Sequence, residues 1–415
     1  MPWSQTSPMD QKIKFMSDYL RLNLSMSELC QLYNVSRKTG YKWVDRDLRL
    51  GPAGLEDRSR KPLHAVNATA PEVIEAILET RRRHPSWGGK KLLAFLHRRH
   101  PRLSLPHRST GCAILKRHGM VPKQRSHRRI GHPGQPSTGI YAPNDVWTAD
   151  FKGHFRTGNG LYCYPLTVAD GFSRYLLGCQ ALGSTAVHEA KPVFTRLFKE
   201  FGLPRRIRTD NGVPFATNTL ARLSRLSAWW VRLGILPELI EPGCPQQNGR
   251  HERMHRTLKA ETTRPPAASR AAQQRRFDTF RAEFNHDRPH EALDMQTPAS
   301  CYLPSPRPMP DRIPPLAYPD RFEVRSVSAN GGIRWNKAWV NVSTVCAGQY
   351  VGLEEIDDGV WNLYYSTLNI GRLDERTMKI EDAFGRLKRK NVSPMSPDVS
   401  VTYVPGRSSC AKVSL

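Results

Sequence analysis

Trp147-Thr148-Ala149-Asp150-Phe151 decides the fold, because it predicts a β-strand that contains a carboxylate. Two further acids occupy comparable places: Asp210 ends a short predicted strand, and Glu252 lies in the first turn of a predicted helix. A carboxylate in or at the end of a strand is an unusual core residue unless a cation accompanies it. If the three acids meet at one sheet edge, they would hold two Mg²⁺ ions, with Mn²⁺ as an expected substitute, because hard cations prefer oxygen ligands. Asp150, Asp210 and Glu252 are therefore the candidate catalytic residues and metal ligands.

The residues around these acids predict a mixed α/β domain. Its elements in chain order are strands at 147–155, 161–169 and 174–181, a helix from Ser184, a strand at 205–210, a helix over 217–233, a strand at 234–240 and a helix from Arg250. Three successive strands followed by alternating helices and strands indicate a sheet that is antiparallel at first and parallel later. Two metal ions about 4 Å apart at such a site can activate an attacking oxygen and stabilise a leaving oxygen on phosphorus.

The charge of the chain favours an anionic partner. Its 415 residues include 63 Lys and Arg against 37 Asp and Glu, a formal net charge of +26, and residues 1–146 alone hold 26 basic against 11 acidic residues. The apolar runs are too short to span a bilayer and no secretory pattern is found, so we expect no membrane partner. Eight dispersed cysteines without a CxxC pair indicate reduced thiols in the cytosol.

Residues 9–50 predict a helix-turn-helix DNA-binding domain. Ser27 is expected to cap the second helix and Ser36 the third, with a tight turn at Asn34-Val35 between them. The third helix would enter a DNA major groove, with Val35, Tyr41 or Trp43 packed inward. The alternative is a plain helical bundle with a solvated basic face. The candidate DNA-binding residues on the third helix are Arg37, Lys38, Thr39 and Lys42.

A second set of three helices at residues 66–122 predicts a second helix-turn-helix domain. Its helices are expected to run from Pro71 to Arg83, from a cap at Ser86 to His97, and from about Ser109 to Gly119. Lys116 and Arg117 are candidate DNA contacts, as are Arg58 and Arg60 in the basic linker before this set. Residues 123–145 predict a further basic linker.

The C-terminal part predicts three kinds of structure. Residues 263–300 predict a helical extension of the core, and the Pro-rich stretch 298–319 predicts a linker. Residues 320–378 are dense in strand-forming residues and predict a small β-barrel. Residues 383–415 are rich in serine, proline and basic residues, which predicts a disordered tail.

Four motifs in this order resemble the insertion-sequence transposases of the retroviral-integrase superfamily. They are Trp-x-x-Asp-Phe at 147–151, Thr-Asp-Asn-Gly-x-x-Phe at 209–215, Pro-x-x-Asn-Gly-x-x-Glu-Arg-x-x-x-x-Leu-Lys at 245–259, and Phe-Asn-x-x-Arg-Pro-His at 284–290. The resemblance implies an RNase H-like catalytic core at 146–262 with a DDE triad. It covers roughly residues 10–375, including the N-terminal helix-turn-helix pair.

The resemblance also implies roles for individual residues. Asp150 would bridge both metal ions, with Asp210 on one ion and Glu252 on the other. Water would cleave the end of the mobile element, and the 3′-OH left behind would attack target DNA. The residues implied or expected to contact this DNA are Asn211, Asn248, Gly249, Arg253 and Arg256. The partners implied are double-stranded DNA, as element ends and target, and further copies of the chain in at least a dimer, within the nucleoid of a prokaryote.

Two other interpretations remain open. His251-Glu252-Arg253-Met254-His255 matches the HExxH pattern of zinc metalloproteases. Leu258 replaces the glycine of the extended pattern, and the neighbouring arginines are unlike the apolar surroundings that a zinc helix requires. The second alternative is an inactivated relative or regulator that binds DNA through the basic helices without cutting it.

Overall fold

The computed structural model describes residues 7–57, 68–121, 139–241 and 245–383. The chain divides into two compact units, Met1–Ala70 and Pro71–Leu415. The described residues do not include Arg58, Arg60, residues 123–138 of the predicted linker or the tail beyond residue 383. No helix of the described ranges has both the length and the apolar character needed to cross a membrane.

The first unit is a bundle of three helices. They are α1 (Pro8–Leu20), α2 (Met26–Leu32) and α3 (Arg37–Leu50), followed by a 3-10 turn at Gly51–Leu55. Ser36 caps α3, as predicted, by accepting a hydrogen bond from the backbone of Thr39. The expected cap at Ser27 is wrong. Ser25 caps α2 instead, because Glu28 completes a capping box with it.

The turn between α2 and α3 has the predicted tight geometry. Asn34 adopts a left-handed conformation with φ of 53°, which asparagine tolerates better than most residues. Gly40 lets α3 approach the other helices closely, since a Cβ at this position would lie 2.6 Å from Cys30 Sγ. Of the residues expected to pack inward as alternatives, Val35 and Trp43 are half-buried against the bundle core, whereas Tyr41 is 58% exposed.

The second unit contains the remaining elements. Its helices are α4 (Pro71–Arg83), α5 (Gly89–Arg99), α6 (Arg108–Arg117), α7 (Val187–Phe201), α8 (Arg225–Arg232), α9 (Gly249–Thr262), α10 (Arg270–His286) and α11 (Pro298–Cys301). Its strands are β1 (Val146–Phe151), β2 (Phe155–Arg156), β3 (Tyr162–Asp170), β4 (Leu176–Leu182), β5 (Arg206–Thr209), β6 (Leu236–Leu239), β7 (Glu323–Ser326), β8 (Gly332–Trp335), β9 (Ala338–Asn341), β10 (Tyr350–Asp357), β11 (Val360–Tyr365), β12 (Leu368–Asp374) and β13 (Lys379–Asp382).

The central sheet is mixed, as predicted. Five strands lie side by side in the order β4-β3-β1-β5-β6, and the short β2 pairs with the start of β3. Strands β4, β3 and β1 are antiparallel neighbours, whereas β1, β5 and β6 are parallel. The helical connections before β5 and β6 account for this change, because parallel strands require a crossover.

The two faces of this sheet differ in chemistry because side chains alternate along each strand. On one face, Trp147, Ala149 and Leu166 pack against the apolar residues of α7 and α8. On the other face, α9 and α10 cover Ala169 and residues of β4 in a second apolar cluster. Thr148 and Asp150 of β1 share this second face, because they alternate with the residues of the first.

Helix α8 is shorter than the helix predicted over 217–233. Ala221 and Arg222 have positive φ values of 51° and 54°, and Leu220–Arg222 forms only a 3-10 turn. Ser224 then caps α8 through the backbone N–H of Ser227. A side-chain cap satisfies an otherwise free N–H, and this favours starting the helix at Arg225.

Helices α4 to α6 pack on α10, so this helical set belongs to the larger unit. His84 Nδ1 lies 2.7 Å from Glu283 Oε1, and Arg99 forms an ion pair of 3.0 Å with Asp287. Trp87 is fully buried at this junction, 6.0 Å from the Arg288 guanidinium. The prediction that Ser86 caps α5 is wrong, because Gly88 stands at the N-cap and no side chain caps this helix. The Ser86 hydroxyl donates to Glu261 instead.

The C-terminal residues form an open sheet, and no closed barrel is found among the described residues. The strand order is β13-β12-β11-β10-β7, and β8 and β9 form a separate hairpin. These strands share an apolar cluster with Val231 of α8 and Leu223, so they pack against the central domain. The Pro-rich stretch is likewise held to that domain, since Arg307 donates to the carbonyls of Pro204 and Gly234.

Candidate active site

Asp150 lies near the carboxyl end of β1, on the face that α9 covers. Its Cα partner on β3 is Thr167, and Thr148 precedes it by two residues on the same face. The Asp150 side chain is 19% exposed, so little of it is in contact with water. Asp150 is therefore a largely desolvated carboxylate on the central strand of the sheet.

Asp210 follows β5, the parallel neighbour of β1, so it lies at the same end of the sheet as Asp150. Its Oδ1 accepts a hydrogen bond of 3.2 Å from the backbone N–H of Gly212. Asn211 fixes the loop that follows. Its amide donates to the carbonyl of Ile240, and its carbonyl accepts from Arg222. The candidate DNA contact Asn211 is thus engaged in holding the ends of β5 and β6 together.

Glu252 lies in the first turn of α9 and is exposed. The buried stripe of this helix consists of His251, Met254, His255, Leu258 and Thr262. Their spacing follows the helical period, so Glu252, Arg253 and Arg256 lie on the other side of α9 and are exposed. The HExxH pattern is therefore divided between the two sides of one helix.

The other two acids and burial act on the charge of Asp150. Burial, and next the negative charge of Asp210, raise the pKa of Asp150 to about 7, and Glu252 adds a smaller effect in the same direction. Lys152 opposes this rise. Burial also raises the pKa of Asp210. Clustered carboxylates that are partly buried suit a hard divalent cation, because its positive charge removes the repulsion between them.

His251 and His255 contact the sheet below them. Together with Asp150 they offer three ligand atoms that lie within 4.8 Å of one another. Both nitrogens of His251 are occupied, however, by the hydroxyls of Thr148 at 2.8 Å and Thr167 at 2.6 Å. The Nε2 of His255 also lies 2.6 Å from Thr167 Oγ1. A zinc ion would have to displace these threonines, which argues against the protease interpretation.

These histidines are buried and neutral. Burial, with Lys152 as a smaller cause, lowers the pKa of His251 to about 3. Burial and the neighbouring His251 lower the pKa of His255 as well. A desolvated imidazole favours its uncharged form.

The candidate DNA contacts of the first unit lie on the open side of α3. Arg37, Lys38 and Lys42 are exposed, and Lys42 Nζ lies 4.7 Å from the ring centre of Trp43. Thr39 is half-buried, and its hydroxyl lies 2.9 Å from that of Ser36. The three cations are thus free to reach phosphate, whereas Thr39 belongs to the start of the helix.

In the second unit, the candidate DNA contacts fall at two places. Lys116 and Arg117 are exposed at the C-terminal end of α6. Asn248 and Gly249 stand at the start of α9. Asn248 is 5% exposed, and its Oδ1 has no hydrogen-bond partner within the described part of the chain.

Sequence reasoning missed a group of cations beside α9. Arg174 and Arg250 both donate to the carbonyl of Gly171, at 2.9 and 3.3 Å. Burial and the nearby Arg250 lower the pKa of Arg174 to about 10. Burial and Arg288 lower the pKa of Lys91, on α5, to about 8. Arg250 was visible within the α9 motif, but no sequence signal joined it to Arg174 or Lys91.

Known protein families match this chain in four places. Two models of an integrase core domain match residues 140–245 and 233–298, a helix-turn-helix domain matches 11–62, and a homeodomain-like domain matches 39–115. An uncharacterized 31.7 kDa protein of insertion element IS407 from Burkholderia multivorans is 25% identical over 287 residues, 67% of this chain and 91% of that protein. An uncharacterized 39.2 kDa protein of insertion element IS476 from Xanthomonas euvesicatoria is 27% identical over 281 residues, 66% of this chain and 70% of that protein. These matches support an insertion-element transposase of the integrase superfamily.

Viral proteins are similar to the core of this chain. The Gag-Pol polyprotein of baboon endogenous virus is 34% identical over 125 residues, 29% of this chain and 7% of the polyprotein. The HTLV-2 integrase catalytic core domain in complex with magnesium is 16% identical, with a TM-score of 0.32 over 39% of this chain and 98% of that one. The family assignment rests on the sequence matches. They imply DNA binding and an enzyme of the polynucleotidyl transferase type.

Proposed function

We propose that this chain is the transposase of its own mobile element. It binds the terminal repeats, cleaves at the ends of the element and joins the 3′-OH to target DNA by two-metal phosphoryl transfer. The observation that carries the proposal is that Asp150 on β1 and Asp210 after β5, its parallel neighbour, lie at the same end of the sheet. The charges of Asp210 and Glu252 add to burial in raising the pKa of Asp150, and a cationic cofactor would relieve this unfavourable charge.

The donor set favours magnesium or manganese over zinc. All three acids offer oxygen ligands, and integrase core domains are generally dependent on divalent metal ions. Asp150 would contact both ions, Asp210 one and Glu252 the other. When bound, the two ions supply activation of the attacking oxygen and stabilisation of the leaving oxygen.

The reaction then needs no covalent bond to the protein. In cleavage, the oxygen of water bonds to phosphorus, the bond to the 3′ oxygen breaks, and that oxygen leaves as a 3′-OH. In joining, this 3′ oxygen bonds to a target phosphorus and a target 3′ oxygen leaves with a proton. One phosphodiester replaces another, so the joining step needs no external energy source. The protein contributes position and charge to both steps.

Phosphate contacts are proposed for the exposed cations. Arg253 and Arg256 stand on the same side of α9 as Glu252, so a strand at the acids would meet them. Arg174 and Arg250 add two guanidinium groups that share one carbonyl and repel each other, and an anion would relieve that repulsion. Asn248 and Gly249 would lie beside this strand at the start of α9.

Base recognition is proposed for the exposed residues of α3 and α6. Arg37, Lys38 and Lys42 on α3, and Lys116 and Arg117 on α6, would bind the terminal repeats. Two ends must be cut and joined in one complex, so we infer at least a dimer on DNA. The place of action inferred from this substrate is the nucleoid of a prokaryotic cytoplasm.

The test uses the purified full chain and a plasmid that carries its gene with flanking DNA. With Mg²⁺ or Mn²⁺, we expect cleavage at the element ends, and Asp210→Asn should lower the rate by at least about 100-fold. Asp320→Asn, an exposed acid before β7, is the matched control and should cut at the wild-type rate. Cleavage by Asp210→Asn at the wild-type rate would refute the triad. Binding without cleavage by wild type would favour an inactivated relative.

A further inference from the structure

Beneath the candidate active site lies a buried chain of four polar side chains. Thr148 on β1 contacts His251 Nδ1 at 2.8 Å, and His251 Nε2 contacts Thr167 on β3 at 2.6 Å. Thr167 contacts His255 Nε2 at 2.6 Å, and His255 Nδ1 lies 3.6 Å from Asp150 Oδ2. Both histidines are 2% exposed. The chain thus links the sheet and α9 in one continuous path that ends at Asp150.

When Asp150 is ionised, as a metal ligand would be, the available protons permit one direction along this path. Asp150 can only accept when it is ionised, so His255 Nδ1 must carry the proton that faces it. The Nε2 of a neutral His255 is then an acceptor and takes the single hydroxyl proton of Thr167. Thr167 Oγ1 in turn accepts from His251 Nε2–H.

The same reasoning completes the far end of the path. With its proton on Nε2, His251 accepts at Nδ1 from the hydroxyl of Thr148. The Thr167 hydroxyl also lies 3.1 Å from the backbone carbonyl of Asp150, and the Thr148 hydroxyl lies 3.2 Å from that of Ala169. Both contacts are longer than those to the imidazoles. Every N–H and O–H in the path therefore points toward Asp150, an arrangement in which each bond polarises the next.

We propose that His255 is a positioning residue for Asp150, held in its orientation by Thr167, His251 and Thr148. The 3.6 Å contact is longer than a hydrogen bond, so it acts through the N–H dipole and leaves the carboxylate free to bind metal. Groups that orient a ligating carboxylate commonly change metal affinity or activity 10- to 100-fold when removed. This inference rests on the proposed function, because it assigns the histidines to the support of a metal ligand.

The test compares substitutions that keep different parts of His255. In His255→Asn, the amide N–H stands near the position of Nδ1 and can still face Asp150. In His255→Gln, the amide reaches toward Thr167 and leaves the Asp150 side empty. We expect His255→Gln to weaken Mn²⁺ binding by about 10- to 100-fold, and His255→Asn to stay within about fivefold of wild type. Mn²⁺ binding to the full chain is measured by electron paramagnetic resonance.

A second pair of variants keeps the inference testable if His255 variants fold poorly. Thr167→Val removes the hydroxyl at nearly constant shape, whereas Thr167→Ser keeps it. We expect Thr167→Val to weaken Mn²⁺ binding and lower the cleavage rate, and Thr167→Ser to preserve both. His286→Gln, on the exposed side of α10, is the control for a histidine outside the path.

Three outcomes would overturn the inference. The first is equal Mn²⁺ binding by all variants with only a lower melting temperature, which means a purely structural role. The second is equal loss in His255→Asn and His255→Gln. The third is stoichiometric Zn²⁺ that is lost in both His255 variants, which means a metal site. If Asp210→Asn abolishes cleavage while the His255 series behaves as wild type, this inference fails and the proposed function stands.

Discussion

Replacing Asp150 with asparagine tests the electrostatics of the candidate site in the metal-free protein. Burial and the charge of Asp210 raise the pKa of Asp150 from 3.8 to about 7. A carboxyl group with a higher pKa in the folded state binds more protons when folded, so between these two values stability falls as pH rises. At about 1.4 kcal/mol per pH unit of difference, the ionised carboxylate destabilises the fold by at most about 4 kcal/mol at pH 8.

We therefore expect Asp150→Asn to be more stable than wild type at pH 8 without metal, by roughly 1–4 kcal/mol. The difference should shrink as the pH is lowered toward 4, where folded wild type carries a neutral Asp150. Added Mg²⁺ should reverse the order. A ligand at 100 times its Kd stabilises the folded state by about 2.7 kcal/mol, and the variant lacks a ligand oxygen.

Urea unfolding followed by tryptophan fluorescence measures these differences, since seven of the nine tryptophans lie in Pro71–Leu415. Asp320→Asn serves as control and should stay within about 0.5 kcal/mol of wild type. A metal-free Asp150→Asn that is less stable than wild type at pH 8 would refute the reasoning. So would a difference that does not change with pH, because either result means that burial and the neighbouring acids do not destabilise the ionised Asp150.

Two further predictions concern DNA binding by α3 and the stability of the junction between α4 to α6 and α10. Arg37→Ala or Lys42→Ala should weaken binding of the element ends and leave Mn²⁺ binding intact, because both side chains are exposed on α3. A filter-binding titration against salt should show a slope lower by about 1 for each lost phosphate contact, and unchanged affinity in both variants would place recognition elsewhere. Trp87→Ala should destabilise the larger unit by about 3–5 kcal/mol, because its fully buried ring packs where α4 to α6 meet α10. A loss below about 1 kcal/mol in urea unfolding would mean that this junction contributes little to stability.

Local sequence patterns predicted the elements that depend on neighbouring residues. The cap at Ser36, the turn at Asn34 and the helix from Pro71 to Arg83 were all correct, because each depends on a few adjacent side chains. The mixed sheet was also predicted, since successive strands followed by alternating helices and strands indicate antiparallel and then parallel pairing. The cap of α2 was misplaced by two residues, because Ser25 and Ser27 are equally suited by type and only Glu28 distinguishes them.

Elements that depend on distant contacts were predicted less well. The helix expected over 217–233 begins only at Arg225, where Ser224 provides a side-chain cap. The C-terminal strands form an open sheet that shares its apolar cluster with Val231 of α8, and this partner is far away in sequence. The set of helices before the core is anchored by His84 and Glu283, which are 199 residues apart.

The sequence by itself determined the candidate acids and their order, because carboxylates in strand ends and glycine turns leave a local signature. It did not determine the role of His251 and His255, because their spacing also matches the HExxH pattern of zinc metalloproteases. The tertiary structure argues against the zinc interpretation by placing Thr148 and Thr167 against their nitrogens. The physical reason is that a nitrogen's partner is set by which strand lies beneath the helix, and that is a property of packing and not of spacing along the chain.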